Sequence, residues 1–365
     1  MTAPNVAVLG AGNTGFAIAV ELSHRGFAVT LAELPEFVAA LEPIQAEGVI
    51  QLFGTANTGP TKIHQVTIDL AATLAVNDLL VMSIPAYGHA PWAQALAPHI
   101  RARHLLTLMP GTFGALEMAR ILREAGAPSI TLAETDTAPY VCRRTQPDGA
   151  TIWGVVPHMG LGVFPATETA RVLGLLEPLF PGLKPVSSVL ECGLGAMNPV
   201  VHPVGVLMNA GCIERSRGEF YFYEEGVTPG VVEVIEALDA ERLAIGAALD
   251  FELAGVAAGF AAAGFGPEGD LWSVINGSRM LTALRAPGAL DTRWLSEDVP
   301  YGLGIWSSVA GQLGVETPII DATIRLGLTV LREPAGAIRR TLADVGLDGL
   351  SREEMLAYAE TGNRP

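Results

Sequence analysis

Residues 5–26 are NVAVLGAGNTGFAIAVELSHRG, in which a short apolar run, a glycine-rich turn and an apolar helical segment follow one another. The run Asn5 to Leu9 is typical of a strand buried in a parallel sheet. In the turn, Gly10 permits a tight bend, Gly12 lets the backbone approach a pyrophosphate, and Gly15 lets the helix pack closely on the strand. The order predicts a nucleotide-binding unit, and a glycine-rich turn without a nucleotide is the alternative.

A second strand and an acidic residue complete this unit. The strand is FAVTL, residues 27–31, and Glu33 lies 18 residues beyond Gly15. A carboxylate at this position binds the ribose hydroxyls of the adenosine and repels a 2′-phosphate. We therefore expect NAD as the cofactor, with NADP as the alternative. Asn13 and Thr14, inside the turn, are expected to contact the cofactor together with the three glycines.

Further strands continue the sheet. The apolar segment DLLVMSI ends in Pro85-Ala86, which we expect near the nicotinamide because ligands bind at the carboxyl ends of parallel strands. His89 is expected on the surface of the following helix. Residues 130–144, ITLAETDTAPYVCRR, add another strand that ends in two arginines. Arg143 is a candidate for substrate binding, and a solvated arginine is the alternative.

Two domains are expected for a chain of 365 residues. Strands alternate with helices up to Val186. This pattern predicts an α/β fold in which the N-terminal domain, residues 1–186, is a Rossmann-type doubly wound sheet. Residues 187–365 are expected to form an all-α domain, and His202 would lie beside the cleft between the two domains.

The composition narrows the function class. Half of the residues are apolar and 16% are charged, as in a well-buried globular protein. A net charge of −16 argues against nucleic acid or a membrane as a partner, because both bind basic surfaces. Cys142, Cys192 and Cys212 show no paired spacing, so we expect neither disulfides nor a metal site. The first residues lack the basic segment of a signal peptide, which favours a cytoplasmic location.

The segment NPVVHPVGVLMN, residues 198–209, contains the histidine that we expect to act in catalysis. Four of its residues recur at helical spacing and would share one face: Asn198, His202, Gly205 and Asn209. The other sides of such a helix would be apolar and buried. Asn198 is predicted to be the N-cap, with a proline in the first turn. The alternative is a core histidine satisfied by Asn198 or by a carbonyl.

A second polar cluster lies in residues 291–304, DTRWLSEDVPYGLG. Arg293, Glu297 and Asp298 fall within six positions, ahead of a Pro-Tyr-Gly turn. An acidic pair before a turn usually caps a helix or is solvated. The alternative is that Asp298 is buried and faces His202.

Together these motifs resemble those of the octopine/nopaline (opine) dehydrogenase family. The resemblance extends over nearly the whole chain and rests on blocks that occur in order: GAGNTG, IPAYGHA, MPGTFGALE, ETDTAPYVCR, NPVVHPVGVLMNA, YEEGVTP, RWLSEDVPYGL and TLADVGLDGL. It implies a domain that binds NAD(P) and a helical domain that binds the amino donor. It also implies the reductive condensation of an amino acid with a 2-oxo acid such as pyruvate.

The resemblance also implies roles for individual residues. It makes His202 the catalytic acid/base and Asp298 its carboxylate partner, and it places Arg293 where a substrate carboxylate is held. An imidazole titrates in the range that this chemistry needs, a buried carboxylate fixes its tautomer, and an arginine binds a carboxylate in bidentate fashion. Further candidates for substrate binding are Asn198, Asn209 and Arg143.

Three other functions share parts of this sequence pattern. An amine dehydrogenase or imine reductase acting on simple amines would use the same groups. A ketopantoate- or glycerol-phosphate-type reductase would need a lysine, and residues 187–365 contain none. An NAD-binding sensor without catalysis would leave His202, Arg293 and Asp298 unexplained. The Ala- and Gly-rich stretch between residues 252 and 268 favours a homodimer.

Overall fold

The computed structural model describes residues 5–55, 57–334 and 336–364. The described chain divides into two compact units. The first runs up to Val189 and includes Glu360–Gly362, and the second runs from Leu190 to Ala359 and includes the residues after Gly362. The first unit is built on a doubly wound sheet and the second on helices. The predicted fold class is confirmed.

Strands occur only in the first unit of the described chain. They are β1 (Asn5–Leu9), β2 (Ala28–Ala32), β3 (Val49–Gly54), β4 (Gly59–Lys62), β5 (Gln65–Thr67), β6 (Leu79–Met82), β7 (Leu105–Leu108), β8 (Thr131–Thr135), β9 (Tyr140–Gln146), β10 (Gly149–Val155), β11 (Met159–Phe164) and β12 (Leu183–Pro185).

The main sheet has the order β12-β11-β8-β7-β6-β1-β2-β5. Strands β8, β7, β6, β1, β2 and β5 are parallel, whereas β11 pairs antiparallel with β8. In the centre of the sheet, Val6 pairs with Val29 on one side and with Leu79 on the other. The order of strands reverses between β1 and β6, so the ligand crevice is expected at the carboxyl ends of these two strands.

The helices are α1 (Asn13–His24), α2 (Glu42–Gln45), α3 (Leu70–Val76), α4 (His89–Leu96), α5 (Gly114–Glu124), α6 (Thr169–Leu176), α7 (Val189–Gly195), α8 (Asn198–Met208), α9 (Ala210–Ser216), α10 (Pro229–Ala248), α11 (Val256–Ala262), α12 (Leu271–Asn276), α13 (Arg279–Thr282), α14 (Arg293–Ser296), α15 (Gly304–Leu313), α16 (Pro318–Val330) and α17 (Arg352–Thr361). Short 3-10 turns occur at Pro35–Ala40, Ala86–Gly88 and Ala166–Glu168. None of the helices in the described chain is both long enough and apolar enough to span a bilayer.

A second, smaller sheet covers helix α1. Its order is β4-β3-β10-β9, and β3 pairs parallel with β10 although their sequences are far apart. Its inner face is apolar and buried, with Ile50 and Leu52 on β3 and Ala150 and Ile152 on β10. The sheet packs on α1, the helix whose first turn follows the glycine-rich segment.

Helix α8 lies at the centre of the second unit, where α10, α14 and α16 pack against it. Its buried valines include Val200, Val201 and Val204. Two π-helical turns, Phe222–Gly226 and Asp298–Leu303, also contact α8. Turns of this kind are rare and occur often at functional sites.

Two predictions about local structure are wrong. The N-cap of α8 is Met197, and Asn198 is the first helical residue, with Pro199 in the first turn as predicted. His89 is only 1% exposed. The reason is that His89 begins the buried face of α4, which continues at positions 92, 93 and 96, and a Cβ on Gly114 would lie 2.4 Å from its ring.

Candidate active site

The glycine-rich turn has a backbone that requires glycine at two positions. Gly10 has a φ of +100°, and a Cβ there would lie 2.4 Å from Ile84 Cγ2. A Cβ on Gly15 would lie 1.8 Å from the carbonyl oxygen of Gly10. At Gly12, by contrast, no described atom lies within 4 Å of the position of a Cβ. The turn is therefore closed on the protein side and open at Gly12, as the approach of a pyrophosphate requires.

The second sheet contacts the first residues of α1. The backbone N–H of Arg144 donates to Asn13 Oδ1 at 2.9 Å, and Cys142 Sγ lies 3.9 Å from Thr14 Oγ1. Burial raises the pKa of the Cys142 thiol to about 11. Asn13 and Thr14 are thus oriented by strand β9 as well as by α1, and Cys142 is a neutral thiol beside them.

The side chain of Arg144 joins β9 to the glycine-rich turn. Its Nη1 donates to the carbonyls of Ala11 at 3.1 Å and of Ala40 at 3.0 Å. Its guanidinium lies 4.0 Å from the centre of the Phe16 ring. Burial lowers the pKa of Arg144. Arg143, by contrast, is exposed.

We expect Arg144→Met to weaken NADH binding about tenfold, or about 1.4 kcal/mol. The substitution leaves the Ala11 and Ala40 carbonyls without their donor, and an unsatisfied buried carbonyl is costly. Titration of protein fluorescence with NADH measures the dissociation constant. Arg171→Met is the matched control, because Arg171 is an exposed arginine paired with Glu168 on another face of the same unit. Equal dissociation constants for the two variants would contradict the prediction.

The carboxylate of Glu33 is turned toward the glycine-rich turn. Glu33 is 7% exposed, and its two oxygens accept hydrogen bonds from the backbone N–H groups of Ala11 at 2.7 Å and Leu34 at 2.9 Å. Burial raises the pKa of Glu33, and the two amide hydrogen bonds oppose that shift. Glu33 therefore supports the turn, and its contact with a ribose stays a prediction.

A cavity of about 530 Å³ opens beyond the carboxyl end of β2. Apolar side chains of Leu34, Ile68 and Leu70 line it, together with Glu36 and Gln94. Its position and lining are suited to the adenosine of a dinucleotide.

The carboxyl ends of β6 and β7 form the other side of the crevice. Pro85 and Ala86 follow β6, where Ala86 begins a 3-10 turn. Ser83 Oγ donates to the carbonyl of Met109 at 2.9 Å, which ties the ends of β6 and β7 together. After β7, Thr112 has a φ of +50°, a left-handed conformation that is uncommon for a residue of this type.

Two carboxyl groups lie at the carboxyl end of β8, at the same edge of the sheet. Glu134 is fully buried, and its oxygens accept the N–H groups of Phe113 and Ala115, each at 2.9 Å, at the start of α5. Asp136 accepts the N–H of Gly160 at 2.9 Å, and burial raises its pKa to about 7. A strongly shifted carboxyl group at a crevice is typical of functional sites. The sequence alone gave no signal that distinguished Asp136.

In the second unit, the predicted histidine and aspartate meet. His202 Nδ1 donates to Asp298 Oδ2 at 2.8 Å, and the two side chains are 13% and 14% exposed. Burial raises the pKa of Asp298, while the hydrogen bond and charge of His202 oppose that shift. His202 is therefore satisfied by a carboxylate and not by Asn198 or a carbonyl. The pairing fixes the imidazole tautomer and leaves Nε2 for chemistry.

Aromatic side chains surround the imidazole. The ring of Trp294 is stacked on that of His202, with centroids 4.5 Å apart and planes 8° apart. Phe222 contacts Trp294 edge-on at 4.7 Å, and Tyr223 lies 6.5 Å from it. Burial, and next the charge of Asp298, raise the pKa of Tyr223, so that its hydroxyl stays neutral. No pattern in the sequence singles out Trp294.

Gly205 makes room for this aromatic cluster. A Cβ on Gly205 would lie 2.5 Å from Phe222 Cζ, and the Phe222 ring is fully buried. We expect Gly205→Ala to lower the free energy of unfolding by about 1–3 kcal/mol, the usual cost of overpacking. Urea denaturation measures this change. Gly211→Ala in α9 is the control, since no described atom lies within 4 Å of its Cβ position, and its stability should not fall.

Arg293 and Glu297 form an ion pair on α14. Arg293 Nε donates to Glu297 Oε2. The Arg293 side chain is 53% exposed, whereas that of Glu297 is largely buried. Glu297 thus anchors one edge of the guanidinium.

The two asparagines of the predicted face differ in role. Asn198 is exposed, one helical turn before His202. Asn209 Nδ2 donates to the carbonyls of Gly205 and Gly226, both at 2.9 Å. Asn209 therefore joins α8 to the π-helical turn Phe222–Gly226. Its predicted contact with substrate is untested.

Known proteins resemble this chain in sequence and in fold. The family model described as NAD/NADP octopine/nopaline dehydrogenase, alpha-helical domain, matches residues 185–331. The model described as NAD-dependent glycerol-3-phosphate dehydrogenase N-terminus matches residues 5–123. An opine dehydrogenase of Arthrobacter sp. (strain 1C) is 32% identical over 346 residues, which cover 94% of this chain and 96% of that protein. The chain belongs to the opine dehydrogenase family.

Further relatives agree with this membership. A vitopine synthase of Allorhizobium ampelinum is 27% identical over 365 residues, covering 94% of this chain and 96% of that protein. A solved structure of octopine dehydrogenase with NADH and L-arginine has a TM-score of 0.77 at 18% identity, covers 99% of both chains, and shares the fold. As a family member, this protein is an NAD(P)-dependent oxidoreductase that acts on CH–NH bonds.

In the described part of this opine dehydrogenase, no group of three or more His, Cys, Asp or Glu side chains is placed to hold a metal ion. The residues that fit a cofactor are those of the open turn at Gly12 and the cavity beyond β2. Sequence reasoning found the turn and the His202–Asp298 pair. It missed Trp294, Arg144 and Asp136, whose partners lie far away in the sequence.

Proposed function

We propose that His202 is the acid/base of a reductive condensation between the amine of an amino acid and a 2-oxo acid. The observation that carries this proposal is the 2.8 Å hydrogen bond from His202 Nδ1 to Asp298. Such a bond orients the ring and stabilises its protonated form, so that Nε2 exchanges the proton. The carbonyl-reductase alternative would need a lysine, which residues 187–365 lack.

The reaction consumes one hydride and one proton and releases one water. The amine nitrogen attacks the carbonyl carbon, and the resulting carbinolamine loses its hydroxyl as water when that oxygen receives a proton. Bound NAD(P)H supplies the hydride to the imine carbon. His202 Nε2 donates the proton in this direction and accepts it in the reverse direction.

Arg293 is assigned to the carboxylate of a substrate. Its guanidinium is half exposed and anchored through Nε to Glu297, and a planar guanidinium oriented in this way binds a carboxylate well. Asn198 lies on the same helical face as His202 and is assigned to the amino acid. Arg143, exposed on β9, supplies a positive charge in a protein whose net charge is −16.

The cofactor is assigned to the first unit. The open backbone at Gly12 and the helix start at Asn13 and Thr14 suit the pyrophosphate. Pro85 and Ala86 suit the nicotinamide, and the cavity beyond β2 suits the adenosine. Because its lining includes Glu36 and Asp69 and no arginine or lysine, NAD is preferred over NADP.

The test is NADH oxidation by the purified protein with pyruvate and a panel of amino acids and simple amines. We expect turnover that requires both the oxo acid and the amino acid. Turnover with the oxo acid alone would indicate a carbonyl reductase, and a preference for simple amines would indicate an imine reductase. Tight NADH binding without turnover would indicate a sensor.

A homodimer and a cytoplasmic location are part of the proposal. Helix α11 exposes the small side chains of Ala258 and Ala262, which permit close approach of a second helix. In the described chain, no disulfide joins Cys142, Cys192 or Cys212, as is usual in a reducing compartment. Light scattering on the wild type and on Ala258→Glu tests the dimer, and a monomeric wild type would contradict it.

A further inference from the structure

The rings of Trp294 and His202 form a stacked pair. The two rings are nearly parallel, 8° apart in plane and 4.5 Å apart in centroid. The Phe222 ring contacts Trp294 edge-on, and the centroids of the two rings are 4.7 Å apart. Phe222 is itself held against α8, where only a glycine fits at position 205. The indole is therefore fixed over the imidazole.

Trp294 lies on a short segment that contains three ion-pairing residues. Arg293 precedes it and pairs with Glu297, and Asp298 follows and pairs with His202. One short segment thus supplies both the carboxylate for Nδ1 and the aromatic face for the ring. The face of an indole carries negative electrostatic potential and attracts a cation placed over it.

We infer that Trp294 is a positioning residue that holds the His202 ring and stabilises its protonated form. This inference rests on the proposed role of His202. The consequence is that the charged form of the ring is favoured by an aromatic face as well as by the carboxylate of Asp298. Trp294 acts through His202 and needs no contact with substrate.

The charged groups around the stack have bonding partners other than Trp294. Asp298 bonds directly to His202, and Glu297 is paired with Arg293. Tyr223 stays neutral because burial raises its pKa. Removing the indole therefore changes the aromatic face while these charges remain.

The other helices packed on α8 carry ionisable groups that are already bonded. On α10, Arg242 donates to Asp239 at 2.7 Å, and both are buried. On α16, Asp321 accepts a hydrogen bond from Ser307 at 2.7 Å. In the described chain, the hydrogen bond of His202 is with Asp298.

The test is the titration of His202 by NMR in protein labelled at histidine Cε1, with the signal assigned by its loss in His202→Gln. We expect Trp294→Leu to lower the pKa of His202 by about 0.5–1 unit, with Trp294→Phe in between because phenylalanine keeps a weaker aromatic face. Trp272→Leu is the control, since Trp272 is an exposed tryptophan on α12. It should leave the titration unchanged.

The pH profile gives a second readout. The reductive reaction needs protonated His202, so its kcat/KM falls as the pH rises through the pKa of His202. In Trp294→Leu this fall should begin at lower pH, by the same amount as the NMR shift. The oxidative reaction needs neutral His202, so its acidic limb should move to lower pH as well.

The outcomes separate this inference from the proposed function. An unchanged or raised pKa of His202 in folded Trp294→Leu would overturn the inference. Hydration of the protonated ring in the variant would then stabilise it at least as well as the indole does in the wild type. The catalytic role of His202 would still stand if His202→Gln were inactive. If Trp294→Leu does not fold, the titration of Trp294→Phe decides alone. A shifted titration together with a fully active His202→Gln would instead overturn the proposed function.

Discussion

His202→Gln is expected to lower kcat/KM for reductive condensation by about 10²- to 10⁴-fold, which is the usual contribution of a positioned acid/base. Glutamine keeps a polar side chain of similar reach but cannot release a proton from the site. The loss corresponds to about 2.7–5.5 kcal/mol of transition-state stabilisation. Steady-state kinetics with saturating NADH measures it.

The binding of NADH provides the internal check on this variant. The residues assigned to the cofactor lie in the first unit, so the dissociation constant for NADH should be unchanged in His202→Gln. His64→Gln is the matched control, because His64 is exposed on the first unit and should keep full activity. An active His202→Gln would show that the proton comes from another group.

Gly15→Ala is expected to raise the dissociation constant for NADH at least about 100-fold, or about 2.7 kcal/mol. The new methyl group would lie 1.8 Å from the carbonyl oxygen of Gly10. Gly10 cannot move away easily, because its own Cβ position is 2.4 Å from Ile84. The turn must therefore open, and the helix start that we assign to the phosphates is displaced. Fluorescence titration with NADH measures the loss.

Substitutions at two other glycines distinguish a folding defect from a binding defect. Gly12→Ala meets no described atom within 4 Å, so it should fold normally and yet bind NADH weakly, because its methyl group would occupy the space of the pyrophosphate. Gly174→Ala in α6 also meets nothing within 4 Å and should change neither property. Normal NADH binding by Gly12→Ala would place the pyrophosphate elsewhere.

The parts of this protein that follow from local patterns could be predicted from the sequence. The run of strand, turn and helix that starts at Asn5 can be recognised in the sequence, because each of its three glycines is needed for a different steric reason. His202 was singled out because polar residues on an apolar helix recur at helical spacing. In both cases a few neighbouring residues contain the whole signal.

The parts that depend on distant pairing could not be predicted. Strands β3 and β10 pair in parallel although about 100 residues separate them, and no pattern within either strand indicates its partner. Arg144 looked solvated because its acceptors, Ala11 and Ala40, lie on other elements. The stack of Trp294 on His202 joins α14 to α8, and no local sequence pattern indicates that these two helices are in contact.

Two local predictions failed for physical reasons that the structure makes plain. His89 was expected at the surface because histidine is polar, but its helix buries that face against α5 and Gly114. Asn198 was expected to cap α8, but the helical hydrogen bonds begin one residue earlier, with Met197 as the N-cap. Helix ends often differ by one residue from the position that composition suggests.

The π-helical turn at Asp298–Leu303 makes the site sensitive to chain length. Within it, the N–H of Gly304 bonds the carbonyl of Val299, five residues back, so the turn holds one residue more than an α-helix would. Removing one residue would let the segment return to regular α-helix and rotate what precedes it by about 100°. Asp298 would then point away from His202. In this region single-residue insertions and deletions should therefore be far less tolerated than substitutions.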